Sequence, residues 1–289
     1  MKLWQIVFSP TGGTQKAADL LCGGLRGEPV SVDRCSSGMD FSAFRPDCGD
    51  TAVIAVPSYG GRVPAAAAQR LLKMPGGGAR AVLLCVYGNR AYEDTLVELE
   101  DLAKAAGFRA AAAVAAVAEH SIARRYAAGR PDAKDAELLR GFARQIQAKL
   151  DAGGDGLPPL PGRRPYKPLG VRRMIPQAGS RCTACGLCAA RCPVQAIAPD
   201  APARTDADRC ISCMRCVAVC PQQARAVDPE ALAGLETFLQ APCAARKDCE
   251  LYLCPYPAQG GPGKKRPLCF GKLASQRAGP AKTAGPALC

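Results

Sequence analysis

The chain has 289 residues, 48% of them hydrophobic and 22% charged. That is long enough for two domains of about 100–200 residues and too ordinary in composition for a disordered chain, a collagen or a coiled-coil fibre. A formal net charge of +13 raises the question of nucleic acid, but no basic stripe with interleaved aromatics occurs. The two basic clusters, Arg163 with Arg164 and Lys264 to Arg266, sit in Pro/Gly-rich connectors, so solvated linkers are expected and nucleic acid is not an expected partner. No apolar run approaches the roughly 18 residues of a membrane span, and no export segment is visible at the start. The reducing cytoplasm is therefore the expected location, and there 17 cysteines, an odd number, point to metal ahead of disulfides.

From Met1 to about residue 152, short apolar runs alternate with helix-period stretches. Leu3 to Phe8, Val30 to Asp33, Thr51 to Val56, Ala81 to Tyr87 and Ala110 to Val117 read as five strands. Three helical stripes lie among them: Ala17, Ala18, Leu21 and Leu25; Tyr92, Leu96, Leu99 and Ala103; and Leu139, Phe142, Ile146 and Leu150. Strands in strict alternation with helices predict an α/β fold, a doubly wound parallel five-stranded sheet in the order 2-1-3-4-5. The stretch from Cys35 to Asp50 shows no clear period.

Residues 153–179 carry Pro158, Pro159, Pro161, Pro165, Pro168 and Pro176, a partly stiff linker composition. Residues 180–228 contain an internal repeat at an offset of 28, with CPVQAIAPD answering CPQQARAVD. In 229–254, Asp228 caps and Pro229 opens a short helix whose Leu232, Leu235 and Leu239 are expected to pack back on the repeat unit. Residues 255–289 are Gly/Pro/Lys-rich without period and are expected to lack fixed structure.

The repeat carries the strongest chemical signal. Cys182, Cys185, Cys188 and Cys192 follow C-x2-C-x2-C-x3-C before Pro193, and Cys210, Cys213, Cys216 and Cys220 do the same before Pro221. In this spacing three close thiolates reach one face of an iron–sulfur cube and the fourth cysteine of each run serves the other cube. Cys182, Cys185, Cys188 and Cys220 are thus the expected ligands of one [4Fe-4S] cluster, and Cys210, Cys213, Cys216 and Cys192 those of a second. Tetrahedral zinc also uses paired C-x2-C elements, but does not need a third cysteine and a Cys-Pro twice over. The spacing resembles that of two-[4Fe-4S] ferredoxin domains, small α+β units that transfer single electrons.

After the first strand comes Ser9-Pro10-Thr11-Gly12-Gly13-Thr14. Small residues at a helix start let backbone N–H groups converge on an anion, and the hydroxyls add donors. No Walker loop and no dinucleotide fingerprint is present, and a plain helix cap is the alternative. Two further loops follow strands three and four: Pro57-Ser58-Tyr59-Gly60-Gly61-Arg62 and Tyr87-Gly88-Asn89-Arg90-Ala91-Tyr92. Each pairs glycine, which admits a flat ring closely, with an aromatic able to stack on it; surface tyrosines in glycine turns are the plainer alternative.

S-P-T-G-G-T resembles the FMN phosphate loop of flavodoxins, and the order of modules is similar to the fused flavodoxin/ferredoxin proteins of anaerobic bacteria. That resemblance, over residues 1 to about 253, implies Ser9, Thr11, Gly12, Gly13 and Thr14 as phosphate contacts and Ser58, Tyr59, Gly60, Gly88, Asn89 and Tyr92 as flavin-ring contacts. The chain departs from ordinary flavodoxins in lacking their acidic surface and the tryptophan of the first ring loop.

The expected function is electron transfer between two [4Fe-4S] clusters and FMN, with an unidentified redox protein as partner. Alternatives are a flavin-dependent reductase of a quinone or other small acceptor fed by the clusters, and a regulatory or nucleic-acid-binding iron–sulfur protein. His120, the single histidine, is a tempting proton donor but is more simply structural. Cys22, Cys35, Cys48 and Cys85 read as small hydrophobes. Cys243, Cys249, Cys254, Cys269 and Cys289 match no metal spacing.

Overall fold

The computed structural model describes residues 1–170 and 174–254, so the expectation for 255–289 lies outside the described residues. Five strands, β1 (Lys2–Val7), β2 (Glu28–Asp33), β3 (Thr51–Pro57), β4 (Arg80–Tyr87) and β5 (Arg109–Val117), run parallel in the order β2-β1-β3-β4-β5. This is the flavodoxin-like order, with the switch of direction at β1 and β3 where such sheets bind ligands. Helices α1 (Gly13–Cys22), α2 (Ala65–Leu72), α3 (Thr95–Ala105) and α4 (Ala133–Asp151) cover the two faces.

Strand residues alternate between two cores. Leu3, Val53, Leu84 and Val114 pack with Leu21 of α1 and Leu139 and Ile146 of α4. Ile6, Ile54 and Leu83 pack with Leu71 of α2 and Leu96 and Leu99 of α3. β3 and β4 are covered on both faces, which is why they read as unbroken apolar runs. Polar anchors hold the periphery. Asp50 accepts from the Trp4 indole at 2.8 Å. Asp132 and Asp135 form a capping box at the start of α4, and Asp135 also pairs with the buried Arg130 at 2.5 Å.

Strict alternation fails between β2 and β3, where the crossover holds only a single 3-10 turn, Phe41–Ala43, plugged by the buried Phe41. Its flanks, Gly38, Pro46 and Gly49, offer no helical stripe. Conversely, α2 has no strong sequence signature because its buried face is made of Ala66, Ala67 and Leu71. Tyr92 precedes α3 instead of joining its stripe, since that helix opens at Thr95.

The proline-rich stretch after α4 is laid against the sheet domain. Gly156 donates to Ala110, Leu157 and Leu160 pack on the second core, Asp94 accepts from the backbones of Arg163 and Lys167, and Arg164 pairs with Asp101. The cysteine-rich segment follows as β6 (Gln177–Ala178), α5 (Leu187–Ala190), α6 (Arg215–Ala218) and β7 (Arg225–Ala226), with β6 antiparallel to β7.

Asp228 caps α7 (Pro229–Gln240), accepting from Ala231 at 2.9 Å. The leucines of α7 do not return to the repeat unit as the sequence suggests. Leu232, Leu235 and Leu239 pack on Ala123, Tyr126 and Cys243, over the loop after β5. From there the chain re-enters the sheet: β8 (Glu250–Tyr252) adds a sixth strand, antiparallel to β5. The residues after the cysteine unit thus complete the first domain. No helix among the described residues is long and apolar enough to cross a membrane.

Candidate metal centre and adjoining loops

The duplication in sequence is a duplication of backbone. Positive φ recurs at equivalent places in the two halves: Ala184 and Ser212, Gly186 and Met214, Gln195 and Gln223. Five of these six are not glycine, so the conformation is held by its surroundings. It turns N–H groups toward sulfur: Ala196 donates to Cys192 at 3.2 Å, Ala224 to Cys220 at 3.3 Å and Ser212 to Cys210 at 3.4 Å.

The eight cysteines divide between two apolar cavities. One is lined by Cys182, Cys185, Cys188 and Cys220; the other by Cys192, Cys210, Cys213 and Cys216. Each set takes three cysteines from one run and the fourth from the other, the division the spacing predicts. Among the described residues no three His, Cys, Asp or Glu side chains close on a single metal ion; the sulfurs surround a volume instead. Burial pushes the Cys213 thiol up to about 12 and Cys216 up to about 11, so these sulfurs ionise only against positive charge. Burial also opposes ionisation of Cys220, but N–H donors from Ala224, Gln222 and Arg225 outweigh it and leave that thiol below its ordinary value. Buried guanidinium nitrogens without acceptors, Arg215 Nε and Arg225 Nε, belong to residues beside the cysteines. Thiolate donors, apolar walls and unspent cationic donors fit anionic iron–sulfur cubes.

The two cavities differ in setting. Cys185 is exposed at the first, whereas Cys213 and Cys216 of the second are buried. The second lies against the sheet domain. Arg215 Nη1 donates to the carbonyls of Ser9 at 3.3 Å and Pro10 at 3.5 Å, and Nη2 lies 4.0 Å from Asp33. Arg70 donates to the Pro193 carbonyl, and Val194 and Ile211 pack on the core of the sheet. The Tyr59 phenol is pushed well above its ordinary value by burial, with the neighbouring Cys213 and Cys35 sulfurs adding to the effect. The loops after β1 and β3 are therefore neighbours of the second set of thiols.

At the loop after β1, Gly12 adopts the left-handed conformation (φ 92°) and α1 begins at Gly13. Ser9 Oγ accepts from the Gln15 N–H at 2.9 Å. Among the described residues the N–H groups of Thr11, Gly12, Gly13 and Thr14 have no protein acceptor, so four adjacent donors stand at the positive end of a helix. That donor set fits a phosphate.

A narrow cleft of about 60 Å³ joins this loop to the ends of the strands. It is lined by Thr11, Gly13, Thr14, Ser58, Tyr59 and Gly88 of the expected contacts, and by Glu119, His120 and Ser121, which follow β5. Ser58 Oγ is 2.7 Å from Thr95 Oγ1. Gly88 is compulsory: a Cβ there would meet His120 at 2.5 Å.

Other expected contacts are not brought to the cleft. Ser9 spends its hydroxyl on Gln15, Gly12 is exposed, and Gly60 lies at the exposed tip of a turn closed by mutual hydrogen bonds of Tyr59 and Arg62. The Asn89 amide holds the returning chain, donating to the carbonyls of Cys243 and Ala245 and accepting from the Lys247 N–H. Tyr92 Oη donates to Glu250 at 2.6 Å and meets Tyr252 Oη at 2.7 Å, its ring edge-on to Tyr87. Both residues fasten β8 and the segment before it.

His120 lines the cleft with Nδ1 accepting from the N–H groups of Ile122 and Ala123. Burial, then the charge of Arg90, lowers its pKa to about 4, so it is neutral with its proton on Nε2. Of the remaining cysteines, Cys35 and Cys85 are buried in one core, Cys249 in the other and Cys243 under α7; Cys254 is engaged in a disulfide. Sequence reasoning missed Arg70 and Arg215, which no local pattern marks, and Arg225, which a comparison of the two repeat halves does mark.

Residues 174–225 match the family model of the 4Fe-4S dicluster domain. No curated protein matches the chain. Among solved structures, a Streptococcus pneumonia TIGR4 flavodoxin is similar at 22% identity, over 51% of this chain and 99% of its own, with a TM-score of 0.37. A short-chain flavodoxin associated with a non-canonical PDU bacterial microcompartment shares 18% identity over 52% of this chain and 99% of its own, TM-score 0.37. A Fusobacterium nucleatum flavodoxin bound to flavin mononucleotide shares 13% over 53% of this chain and 99% of its own, TM-score 0.35. The cysteine spacing, the family match and the strand order together describe a 4Fe-4S dicluster domain set behind a sheet of flavodoxin-like strand order.

Proposed function

We propose that this chain is an electron-transfer protein of the reducing cell interior that holds two [4Fe-4S] clusters and one FMN. The observation that carries the reading is the crossed division of eight cysteines between two cavities, the inner of which abuts the anion-binding loop of the sheet domain. Cys182, Cys185, Cys188 and Cys220 hold the outer cluster, and Cys192, Cys210, Cys213 and Cys216 the inner one. Thr11, Gly12, Gly13 and Thr14 hold the flavin phosphate through their free N–H groups, and Tyr59, Gly88 and His120 border its ring. When bound, the clusters supply single electrons and the flavin exchanges one or two, so the assembly converts between single and paired electron traffic.

The chain's own residues determine the order of the carriers. Exposed Cys185 puts the outer site within reach of a partner protein, while Arg215 and Arg70 fasten the inner site to the sheet. Cys192, Cys213 and Cys216 of the inner site are buried from water.

The test is iron and flavin analysis of anaerobically purified protein with spectra during stepwise reduction. About eight iron atoms and one FMN per chain are expected. Iron without flavin after reconstitution would overturn the FMN half; about four iron atoms would overturn the second cluster.

A further inference from the structure

The two halves of the cysteine unit differ at one buried position. Ile197 in CPVQAIAPD corresponds to Arg225 in CPQQARAVD, and each is only 3% exposed. Ile197 lines the inner cavity and Arg225 lines the outer one, so pseudo-equivalent walls present a hydrocarbon in one case and a guanidinium in the other. An arginine removed from water is costly unless negative charge faces it.

Among the described residues no carboxylate pairs with Arg225. Its Nη1 donates to the Pro202 carbonyl at 2.6 Å and to Cys188 Sγ at 3.5 Å. Its Nη2 donates to the Pro176 carbonyl at 3.3 Å and to the Thr205 hydroxyl, and Nε is buried without an acceptor. Its charge also faces Cys216, where it opposes the upward push of burial on that thiol. The oxygen partners orient the guanidinium but carry no net charge. Cys188 and Cys216 belong to different cavities, so one buried cation serves both ligand sets, and the balancing charge must come from the thiolates and what they bind.

We propose that Arg225 is the internal counter-charge of the iron–sulfur domain and sets its reduction potentials, raising that of the outer centre above the value an apolar residue in its place would give. The inference rests on the proposed occupancy by two clusters. One electron entering the outer site increases the negative charge opposite the guanidinium by one. No bond forms or breaks. The cation therefore lowers the energy of the reduced state more than that of the oxidised state, and the N–H···S bond to Cys188 acts in the same direction. An outer site poised this way accepts electrons readily from a docked protein and holds them beside the inner site.

The experiment uses the full-length, anaerobically purified holoprotein and three variants: Arg225→Ile, which copies the sister position, Arg225→Gln and Arg225→Lys. Iron content is measured, and each centre is titrated potentiometrically by absorbance and electron paramagnetic resonance. In Arg225→Ile at least a tenfold fall in the reduced-to-oxidised ratio of one centre at fixed potential is expected, which is 59 mV for one electron, with Arg225→Lys recovering part of it. Wild-type iron with both potentials unchanged in Arg225→Ile overturns the proposal. If that variant loses iron, the Lys and Gln pair decides: equal potentials, or loss of iron from all three, make Arg225 a structural tie and overturn it. Wild-type protein without two clusters fails the occupancy reading first, and is seen in the iron analysis before any variant is made.

Discussion

The sheet domain and the cysteine unit solve the problem of staying folded in opposite ways. In the former, side chains such as Ile6, Ile54, Leu83 and Leu84 lie at 0% exposure in two continuous cores, each contributing about 1.5–3 kcal/mol by burial. In the latter, the strands are two residues long, the helices four, and the hydrophobic cluster consists of Cys188, Ala189, Ile197 and Cys216 with Val217 beside it. Half of that small core is thiol. A unit so poor in apolar area is held by its ligands, whereas the sheet holds itself, so cofactor loss and core damage should act on different halves of the molecule.

The largest effect that tests this division is metal removal. Cys188→Ser, or anaerobic treatment with a chelator, is expected to abolish amide-exchange protection across residues 174–228 while β1 to β5 stay protected; loss of both together would show that the sheet also depends on the metal. Asp135→Ala attacks the other side. It strands Arg130, whose side chain is 4% exposed, removes half of the capping box and leaves Arg246 of the returning segment with Asp132 alone. A loss of about 3–5 kcal/mol is expected in denaturant unfolding of the sheet domain, with the iron content of the folded protein unchanged.

A smaller effect should come from His120. Its folded pKa, lowered to about 4 by burial and by Arg90, lies below the ordinary value near 6.5. Between those values the unfolded chain binds a proton that the native chain does not, so this contribution is fully present above pH 6.5 and declines as pH falls toward 4. His120→Gln should flatten the stability profile of the sheet domain in that window. An unchanged slope would place the acid sensitivity elsewhere.

How much of this was legible in the chain depends on how local each cause is. The five parallel strands are apolar runs that announce themselves, and their order is a common solution for strands alternating with helices. The two cysteine sets are legible because ligand spacing is counted along a few turns of backbone. α2 was not, because alanines make a faint stripe. Nor was β8, three residues reading Glu-Leu-Tyr, whose strand character comes from the edge of β5 that it meets.

Asn89 and Tyr92 mark the boundary between the two kinds of information. Their glycine- and aromatic-rich loop has the local character of a ring-binding loop. Its polar groups are claimed by residues 243–252, which lie more than 150 positions away in sequence. Arg225 is the converse: an ordinary arginine in the sequence that becomes a buried cation only when the two runs fold together. By itself the chain determined the sheet order and which thiols can share a cavity, since both follow from patterns within one segment or its repeat. Only the tertiary structure decided which loop side chains face the cleft and which cavity carries a charge. Those outcomes rest on competition for hydrogen bonds and on desolvation, which have no value until distant segments meet.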